Sequence, residues 1–352
     1  MGKPRVGVIF GGRSGEHEVS LVSAQSVMEA MDQSKYEIVP IGIDREGRWI
    51  GGGNPMAYLR SRAKLQLGDG WTSEDPGDCT IWGKLPPIEL LESLDVAFPV
   101  LHGPYGEDGT IQGLLEMAGV PYVGSGVAAS AVGMDKAISK ALFQAKGLPV
   151  LPYVVVSRKK WQEQKSSVIR EVEGQLRYPM FVKPANLGSS VGISKAKNRE
   201  ELEKGLDLAS EYDRKMLVEQ GISAREIECG VLGNEEPEAS VPGEVVPGKE
   251  WYDYEAKYQD NNTKLLVPAP IPPELTEQVR EISLQAYRAL GCRGLSRVDF
   301  LLDKETGKIY LNEINTMPGF TPVSMYPLVW KATGVSYPAL VDRLIALALE
   351  EA

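Results

Sequence analysis

Two short segments near the end of the chain carry guanidinium, carboxylate and amide side chains at alternate positions. They are Arg297-Val-Asp299 and Glu313-Ile-Asn315. Because alternate residues of a strand face the same side of a sheet, two neighbouring strands would bring these four side chains to one place. Carboxylate and amide oxygens suit magnesium, which fills its remaining positions with water and substrate phosphates. The pattern predicts a magnesium-nucleotide site with Asp299, Glu313 and Asn315 as metal ligands.

A sharp turn at Pro318-Gly319 follows the second segment. A glycine there would let a backbone N–H face a reaction centre. Taken alone, the acidic residues could equally be solvated side chains on an exposed sheet face, with Arg297 in a surface ion pair. The turn favours the metal site over this alternative.

A loop rich in glycine and serine lies between two short predicted strands. It reads Lys183-Pro-Ala-Asn-Leu-Gly-Ser189-Ser-Val-Gly192. Glycines allow close backbone approach, exposed N–H groups bind phosphate oxygens, and the lysine adds a positive charge. The loop matches neither the P-loop nor the dinucleotide-binding glycine pattern. We interpret it as a phosphate-binding loop, and a plain hairpin with a glycine turn is the alternative.

A further glycine-rich segment, Gly11-Gly-Arg-Ser-Gly-Glu16-His17-Glu18, follows the first predicted strand. A glycine turn that opens a helix can hold a ligand at the helix N-terminus, where Glu16 could bind an ammonium group. By itself the segment is better explained by two ordinary acids in a first helical turn. We expect His17 to fix the turn.

Apolar runs and helical patterns indicate the elements that position these segments. In the first third of the chain they alternate as strand, helix, strand, which is typical of a parallel sheet covered on both faces. A small α+β region with a hairpin follows, and a further set of strands and helices completes the chain. Strands are predicted at 5–10, 37–44, 94–101, 180–183, 191–195, 216–219, 226–232, 241–246, 295–302 and 308–314. Helices are predicted at 19–31, 110–117, 135–146, 199–209, 274–290 and 337–349.

We therefore expect an α/β domain followed by two α+β domains, with boundaries at 1–134, 135–222 and 223–352. Residues 51–90 show weak periodicity and are expected to be irregular with a hairpin. In the last predicted helix, apolar residues from Leu340 to Ala348 fall on one face and form a docking stripe.

The composition is that of a globular protein with several domains, since 43% of the 352 residues are hydrophobic and 24% are charged. A net charge of -10 argues against nucleic acid or anionic lipid as a partner. No apolar run approaches the roughly 20 residues of a membrane helix, and the first residues do not resemble a signal peptide, so a cytoplasmic location is expected. Cys79, Cys229 and Cys292 have no spacing that predicts a disulfide or a zinc site.

Six segments, in their order and spacing, resemble the D-alanine–D-alanine ligases of the ATP-grasp superfamily over essentially the whole chain. The resemblance implies an ATP-grasp fold, in which ATP lies between two antiparallel sheets. It also implies an N-terminal parallel-sheet domain of Rossmann-like type, called pre-ATP-grasp, that completes the amino-acid pocket. The segments are Gly11-Gly-Arg-Ser-Gly-Glu-His-Glu-Val-Ser20, His102-Gly-Pro-Tyr-Gly-Glu-Asp-Gly109, Met134-Asp-Lys136, Lys183 to Gly192, Tyr254-Glu-Ala-Lys-Tyr258 and Asn312 to Gly319.

The resemblance implies an ATP-binding set. Lys136 and Lys183 match the lysines that hold the α- and β-phosphates, and Lys257 matches one near the transferred phosphate. Where some relatives place a tryptophan on the adenine, this chain has Gly221. The stretch that lines the adenine, and the acid that binds the ribose, are matched by Glu219, Gln220, Gly221, Ile222 and Glu226.

The resemblance also implies the residues around the amino-acid substrates. Glu16 matches the group that binds the ammonium of the first D-alanine, with His102 nearby. Arg297 and the Gly319 N–H match the groups that stabilise the oxyanion of the second step. Ser324 and Met325 match positions that contact the carboxylate and methyl group of the second D-alanine.

A loop from 251 to 263 is expected to close over the site and exclude water from an acyl phosphate. Glu16, Ser189 and Tyr258 resemble the hydrogen-bonded set that ties this loop down.

The implied activity is ATP-dependent ligation of two D-alanine molecules through an acyl phosphate, for peptidoglycan precursor synthesis. The resemblance implies two Mg²⁺ or Mn²⁺ ions per site, with a monovalent cation as a further candidate, and a homodimer.

Three alternatives remain at this point. A ligase that takes D-serine second is one, and D-lactate is disfavoured by the pattern that ends at Tyr258. A nucleotide-binding module without catalysis is another. A dinucleotide oxidoreductase would leave the C-terminal acidic pair without a role.

Overall fold

The computed structural model describes residues 2–63, 75–188, 191–247 and 263–350, and in these ranges the strands form three sheets. Each sheet is built from a separate stretch of the chain.

The first stretch forms a mixed sheet with a parallel centre. Its strands are β1 (Arg5–Gly11), β2 (Glu37–Ile43), β3 (Trp49–Gly51), β4 (Thr80–Gly83) and β5 (Val96–Val100), in the order β4-β3-β2-β1-β5. β1 is parallel to β2 and β5, which confirms the predicted parallel sheet, while β3 and β4 form an antiparallel edge. β1 and β5 are almost entirely buried, which explains their continuous apolar sequences. Its helices are α1 (His17–Ala30), α2 (Pro55–Arg60), α3 (Ile88–Glu92), α4 (Thr110–Met117) and α5 (Val127–Met134).

The second stretch forms an antiparallel sheet in the order β6-β9-β7-β8. Its strands are β6 (Tyr153–Ser157), β7 (Met180–Pro184), β8 (Ser194–Ala196) and β9 (Lys215–Gln220). Its helices are α6 (Lys136–Ala145), α7 (Arg158–Glu163), α8 (Lys165–Gln175) and α9 (Arg199–Tyr212). The strand predicted at 191–195 is wrong in its first half, because Gly192 has a φ of 71° and lies in a turn.

The third stretch forms an antiparallel sheet in the order β13-β12-β10-β14-β15, with β11 paired to β10. Its strands are β10 (Ala224–Leu232), β11 (Glu238–Ala239), β12 (Gly243–Val246), β13 (Lys264–Leu266), β14 (Leu295–Asp303) and β15 (Ile309–Asn315). Its helices are α10 (Pro273–Leu290), α11 (Met325–Thr333) and α12 (Tyr337–Leu349).

The last helix joins the end of the chain to the first sheet. Leu340, Val341 and Leu344 of α12 are fully buried in a core that also contains residues of β1 and β5. Asp342, on the same helix, accepts a hydrogen bond of 2.6 Å from Tyr36 Oη. The predicted docking stripe is therefore confirmed, and it packs against the N-terminal sheet.

Within the described ranges, no single helix is long and apolar enough to cross a membrane. Taken together, α11 and α12 reach the required length and apolar composition, but the two helices are bent by 100° relative to each other.

Candidate active site

The two acidic segments lie on neighbouring strands in direct register. β14 and β15 pair Arg297 with Asn315 and Asp299 with Glu313, and the register shifts immediately after Asp299. On its other side β14 pairs with β10, which places Glu228 opposite Asp299. The structure therefore brings the four predicted side chains together and adds a third carboxylate from β10.

Arg297 is held by two carboxylates. Its Nε and a terminal nitrogen each donate to Asp299 at 2.7 Å, and Nε lies 3.0 Å from Glu228 Oε2. Burial opposes the guanidinium charge, but the two carboxylates outweigh it and raise the pKa of Arg297 well above its ordinary value. Sequence reasoning missed Glu228, although it stands two residues after Glu226 and alternation places both on one face of β10.

The predicted metal ligands each have a partner within the protein. Asp299 accepts from the guanidinium, Glu313 Oε2 lies 3.0 Å from Lys136 Nζ, and Asn315 Oδ1 accepts the Met317 N–H at 2.9 Å. Among the residues that the structure describes, no three His, Cys, Asp or Glu side chains form a ready metal cluster. Two carboxylates and an amide oxygen fit a hard cation that arrives with a nucleotide, because magnesium takes few protein ligands and completes its shell with phosphates and water.

Lys136 stands between these strands and the glycine loop. Its Nζ donates to the Leu187 carbonyl at 2.9 Å and lies 3.0 Å from Glu313 Oε2. Its backbone N–H donates to the Ala185 carbonyl at 3.0 Å. Asp135 caps α6 through two hydrogen bonds of 3.1 Å and so fixes the helix start from which the lysine projects. The α6 terminus thus connects two of the predicted segments.

Lys183 shares a buried carboxylate with a second lysine. Glu219 Oε2 lies 2.6 Å from Lys183 Nζ, and Glu219 Oε1 lies 2.5 Å from Lys140 Nζ. Burial would raise the pKa of Glu219, but the two ammonium groups lower it to about 2. Sequence reasoning missed Lys140, although it lies four residues after Lys136 and therefore on the same helix face.

The glycine loop is anchored from the end of α9. Asp213 Oδ2 accepts hydrogen bonds from the backbone N–H and the side-chain amide of Asn186, at 2.8 and 3.0 Å. A Cβ placed on Gly188 would lie 3.9 Å from Glu16 Oε2, so the Glu16 carboxylate reaches this loop from the first sheet. Ser189 lies outside the described residues.

Glu16 and His102 lie close together where α1 begins. A Cβ placed on Gly103 would lie 3.4 Å from Glu16 Oε2. His102 is buried, with Nδ1 3.2 Å from the Met317 carbonyl and 3.8 Å from Glu107 Oε1. Burial lowers the pKa of His102, but the carboxylates of Glu107 and Glu16 outweigh it and raise the pKa above its ordinary value.

His17 belongs to the turn after β1. Its Nδ1 lies 2.8 Å from the Gly12 carbonyl, and burial lowers its pKa. Gly11 and Gly12 have φ values of 93° and 95°, a conformation that favours glycine. These contacts match the structural role expected for His17.

The stretch that matches the adenine site connects the second and third sheets. Gln220 ends β9, and its Nε2 lies 3.3 Å from the Pro179 carbonyl. A Cβ on Gly221 would lie 2.6 Å from the same carbonyl oxygen, so this backbone has no room for a stacking side chain without movement. Ile222 follows in the connection, and Glu226 lies on β10.

The turn after β15 leads into α11. A Cβ placed on Gly319 would lie 3.4 Å from Ser324 Oγ, and this hydroxyl accepts the Thr321 N–H at 3.1 Å. Met325 is buried, with its sulfur packed against Gly243 of β12. Gly319 and Ser324 are therefore neighbours, whereas Met325 belongs to the core.

Three of the predicted residues have no structural description. Lys257 and Tyr258, like Ser189 and nearly all of the predicted loop at 251–263, lie outside the described ranges.

The sequence profile described as "D-ala D-ala ligase N-terminus" matches residues 5–125, and the profile described as "D-ala D-ala ligase C-terminus" matches residues 142–346. The chain is 55% identical over 349 residues to the D-alanine--D-alanine ligase of Heliobacterium modesticaldum, covering 99% of this chain and 95% of that protein. It is 51% identical over 351 residues to the enzyme of that name from Natranaerobius thermophilus, covering 99% and 96%.

Solved structures agree with these relatives. The VanG D-Ala:D-Ser ligase of Enterococcus faecalis superimposes with a TM-score of 0.85 at 35% identity, covering 99% of this chain and all of that one (100%). The D-alanine-D-alanine ligase of Coxiella burnetii superimposes with a TM-score of 0.81 at 34% identity, covering 99% and 94%. The predicted ATP-grasp fold is confirmed. The chain belongs to the D-alanine–D-alanine ligase family.

Proposed function

We propose that this protein joins two molecules of D-alanine in an ATP-dependent reaction that supplies a precursor of peptidoglycan. The observation that carries the proposal is the position of Lys136, which bonds to the glycine loop at Leu187 and to Glu313 of the acidic strands. The ammonium group of Lys136 thus connects the predicted phosphate-binding loop with the predicted metal-binding strands. Relatives that are 51–55% identical over nearly the whole chain bear the name of this activity.

In the first step, a carboxylate oxygen of one D-alanine attacks the γ-phosphorus of ATP, ADP leaves, and an acyl phosphate forms. Lys136 and Lys183 hold the α- and β-phosphates, and Lys257 lies near the transferred phosphate. Glu16 binds the substrate ammonium group, with His102 behind it. The protein contributes mainly position and charge in such a transfer.

In the second step, the amine of another D-alanine attacks the acyl carbon, inorganic phosphate leaves, and the amine loses a proton. Arg297 and the Gly319 N–H stabilise the oxyanion as it develops. Ser324 and Met325 bind the carboxylate and methyl group of this substrate. Since Met325 is packed against Gly243, it acts by shaping the wall of the pocket.

The remaining site residues bind the nucleotide and close the pocket. Asp299, Glu313 and Asn315 would hold two divalent cations, Mg²⁺ or Mn²⁺, and these would neutralise charge on the phosphates when bound. Adenosine is bound by the stretch from Glu219 to Ile222 and by Glu226. The loop at 251–263 closes through Glu16, Ser189 and Tyr258.

D-alanine is favoured over D-serine as the second substrate. The relatives that are 51–55% identical over nearly the whole chain are named D-alanine--D-alanine ligases, and this supports D-alanine. The two solved structures do not discriminate, because a D-Ala:D-Ser ligase and a D-alanine-D-alanine ligase are about equally similar to this chain, at 35% and 34% identity. The segment that ends at Tyr258 argues against D-lactate.

We further propose three domains, 1–134, 135–222 and 223–352. Each contributes its own sheet, although α12 from the third packs on the sheet of the first. A homodimer in the cytoplasm, and activation by a monovalent cation, complete the proposal.

The test is product formation from ATP, Mg²⁺ and single amino acids. D-alanine is expected to give ADP, phosphate and dipeptide in equal amounts, measured by a coupled ADP assay and mass spectrometry. L-alanine is the control and should give none. ADP without dipeptide, or a mixed product in preference to D-alanyl-D-alanine when D-serine is added, would contradict the proposal.

A further inference from the structure

A buried lysine on α6 has no role in the reaction described above. The Lys140 side chain is 1% exposed, and its Nζ lies 2.5 Å from Glu219 Oε1. Lysine is almost never buried to this degree without a partner. Burial lowers the pKa of Lys140, and the Glu219 carboxylate opposes this shift.

Glu219 is therefore shared between two ammonium groups that arrive from different elements. Lys140 projects from α6, Lys183 from β7, and Glu219 itself lies on β9. With both lysines protonated and Glu219 ionised, the three groups carry a net charge of one positive unit. A pair of Lys183 and Glu219 alone would be neutral and would present little charge to a phosphate.

We propose that Lys140 is a positioning residue that holds Glu219 and so leaves Lys183 with excess positive charge for the nucleotide phosphates. The inference rests on the proposed function, because it takes Lys183 as a phosphate ligand. Lys140 holds one carboxylate oxygen, so that Lys183 contacts only the other. Lys183 is the more exposed of the two lysines, with 11% of its side chain accessible against 1% for Lys140.

A substitution that removes the charge of Lys140 but keeps its volume tests this role. Replacing Lys140 with methionine keeps an unbranched chain of similar volume and leaves a neutral pair of Lys183 and Glu219. Removing one partner of a buried ion pair is destabilising when it leaves the other charge unpaired. Here Glu219 keeps Lys183 at 2.6 Å, so we expect Lys140→Met to lower the melting temperature and still to fold. In the folded variant, the expected defect is in nucleotide affinity.

The experiment compares the affinities of ADP and adenosine, measured by calorimetry for ADP with Mg²⁺ and by competition for adenosine. Lys140→Met should weaken ADP binding roughly ten-fold, because one unit charge near the phosphates is lost, and leave adenosine binding within about two-fold. Lys146→Met removes a positive charge from the exposed end of the same helix and should change neither affinity.

A second variant restores the charge without restoring the lysine. In Lys140→Met/Glu219→Gln the cluster again carries one positive charge, on Lys183. Because Glu219 belongs to the stretch proposed to bind adenosine, the separate affinities can change in this variant and only their ratio is compared. The ratio of ADP affinity to adenosine affinity should return to within about three-fold of the value for the starting protein. Lys140→Gln, which keeps a hydrogen-bond donor without the charge, should show the same low ratio as Lys140→Met.

Three results would overturn the inference. The first is an unchanged ratio of ADP affinity to adenosine affinity in both Lys140→Met and Lys140→Gln. The second is an equal loss of affinity for ADP and for adenosine, which would indicate a structural role for Lys140. The third is a ratio that stays low in the double variant. Thermal melting would show that each variant is folded before binding is compared. If the unaltered protein bound adenosine but not ADP, the proposed function itself would fail.

Discussion

The Glu313→Gln variant distinguishes two roles of Glu313, that of a metal ligand and that of a partner in a surface ion pair. In the protein as it stands, Glu313 Oε2 lies 3.0 Å from Lys136 Nζ, with side-chain exposures of 29% and 11%. Glutamine keeps a hydrogen-bond acceptor at the same position, and a partly exposed pair of this kind contributes about 1 kcal/mol or less. We therefore expect the melting temperature to fall by no more than about 4 °C.

The effect on catalysis should be much larger. Two unit charges 4 Å apart interact by about 4 kcal/mol at an effective dielectric constant of about 20. A divalent ion doubles this value, and the cost of removing both groups from water offsets part of it. A net loss of about 3–4 kcal/mol in the stabilisation of the transition state corresponds to a fall in kcat/KM of roughly 10²- to 10³-fold.

The assay is ADP release with saturating D-alanine and varied ATP, which gives kcat/KM for ATP, repeated over a range of Mg²⁺ concentrations. Glu305→Gln is the matched control, because Glu305 is an exposed acid in the turn between β14 and β15. The control should keep full activity. A Glu313→Gln protein that retains more than a third of the activity at all Mg²⁺ concentrations would contradict the assignment of Glu313 as a metal ligand.

Three further predictions concern the surroundings of the site. Gly243→Ala places a methyl group against the Met325 sulfur, so we expect a loss of about 1–3 kcal/mol in denaturant unfolding and a higher KM for D-alanine. The raised pKa of His102 predicts a contribution to stability that is complete below the ordinary value of 6.5 and is lost as pH rises through the folded value. Proton NMR should show this titration, and Glu107→Gln should move it to lower pH. Asp213→Ala removes both anchors of the glycine loop and should raise the KM for ATP about ten-fold with a smaller change in kcat.

Each of these predictions has an outcome that contradicts it. If Gly243→Ala left the free energy of unfolding unchanged, the Met325 side chain would have to be able to move aside. A His102 titration that Glu107→Gln leaves in place would remove the carboxylate as its cause. Asp207→Ala, on the exposed side of α9, is the control for Asp213→Ala, and equal KM values in the two would exclude a specific role for the loop anchor.

The acidic strand pair could be predicted because a strand fixes the direction of its side chains. Arg297 and Asp299 alternate on β14, Glu313 and Asn315 alternate on β15, and consecutive strands joined by a short turn usually pair. Glu228 could not be found in this way. It faces Asp299 through the pairing of β10 with β14, and register between strands distant in sequence is set by tertiary packing.

Other errors also have local causes. The helix α11 was not predicted, because Pro327 interrupts its helical pattern. Pro327 lies in the first turn, where a backbone N–H has no partner within the helix, so a proline costs little there. Lys140 was not singled out, because a sequence does not show that Glu219 of β9 reaches the same side. Burial of a charged pair depends on how elements pack, so spacing along one helix cannot reveal it.

The most direct test of the central claim is a crystal structure with ADP and Mn²⁺, with the metal located by its anomalous scattering. We expect manganese in contact with oxygens of Asp299 and Glu313, with nucleotide phosphates completing its shell and Lys136 and Lys183 beside them. Manganese elsewhere, with Asp299 still paired to Arg297 and the phosphates distant from β14 and β15, would contradict it.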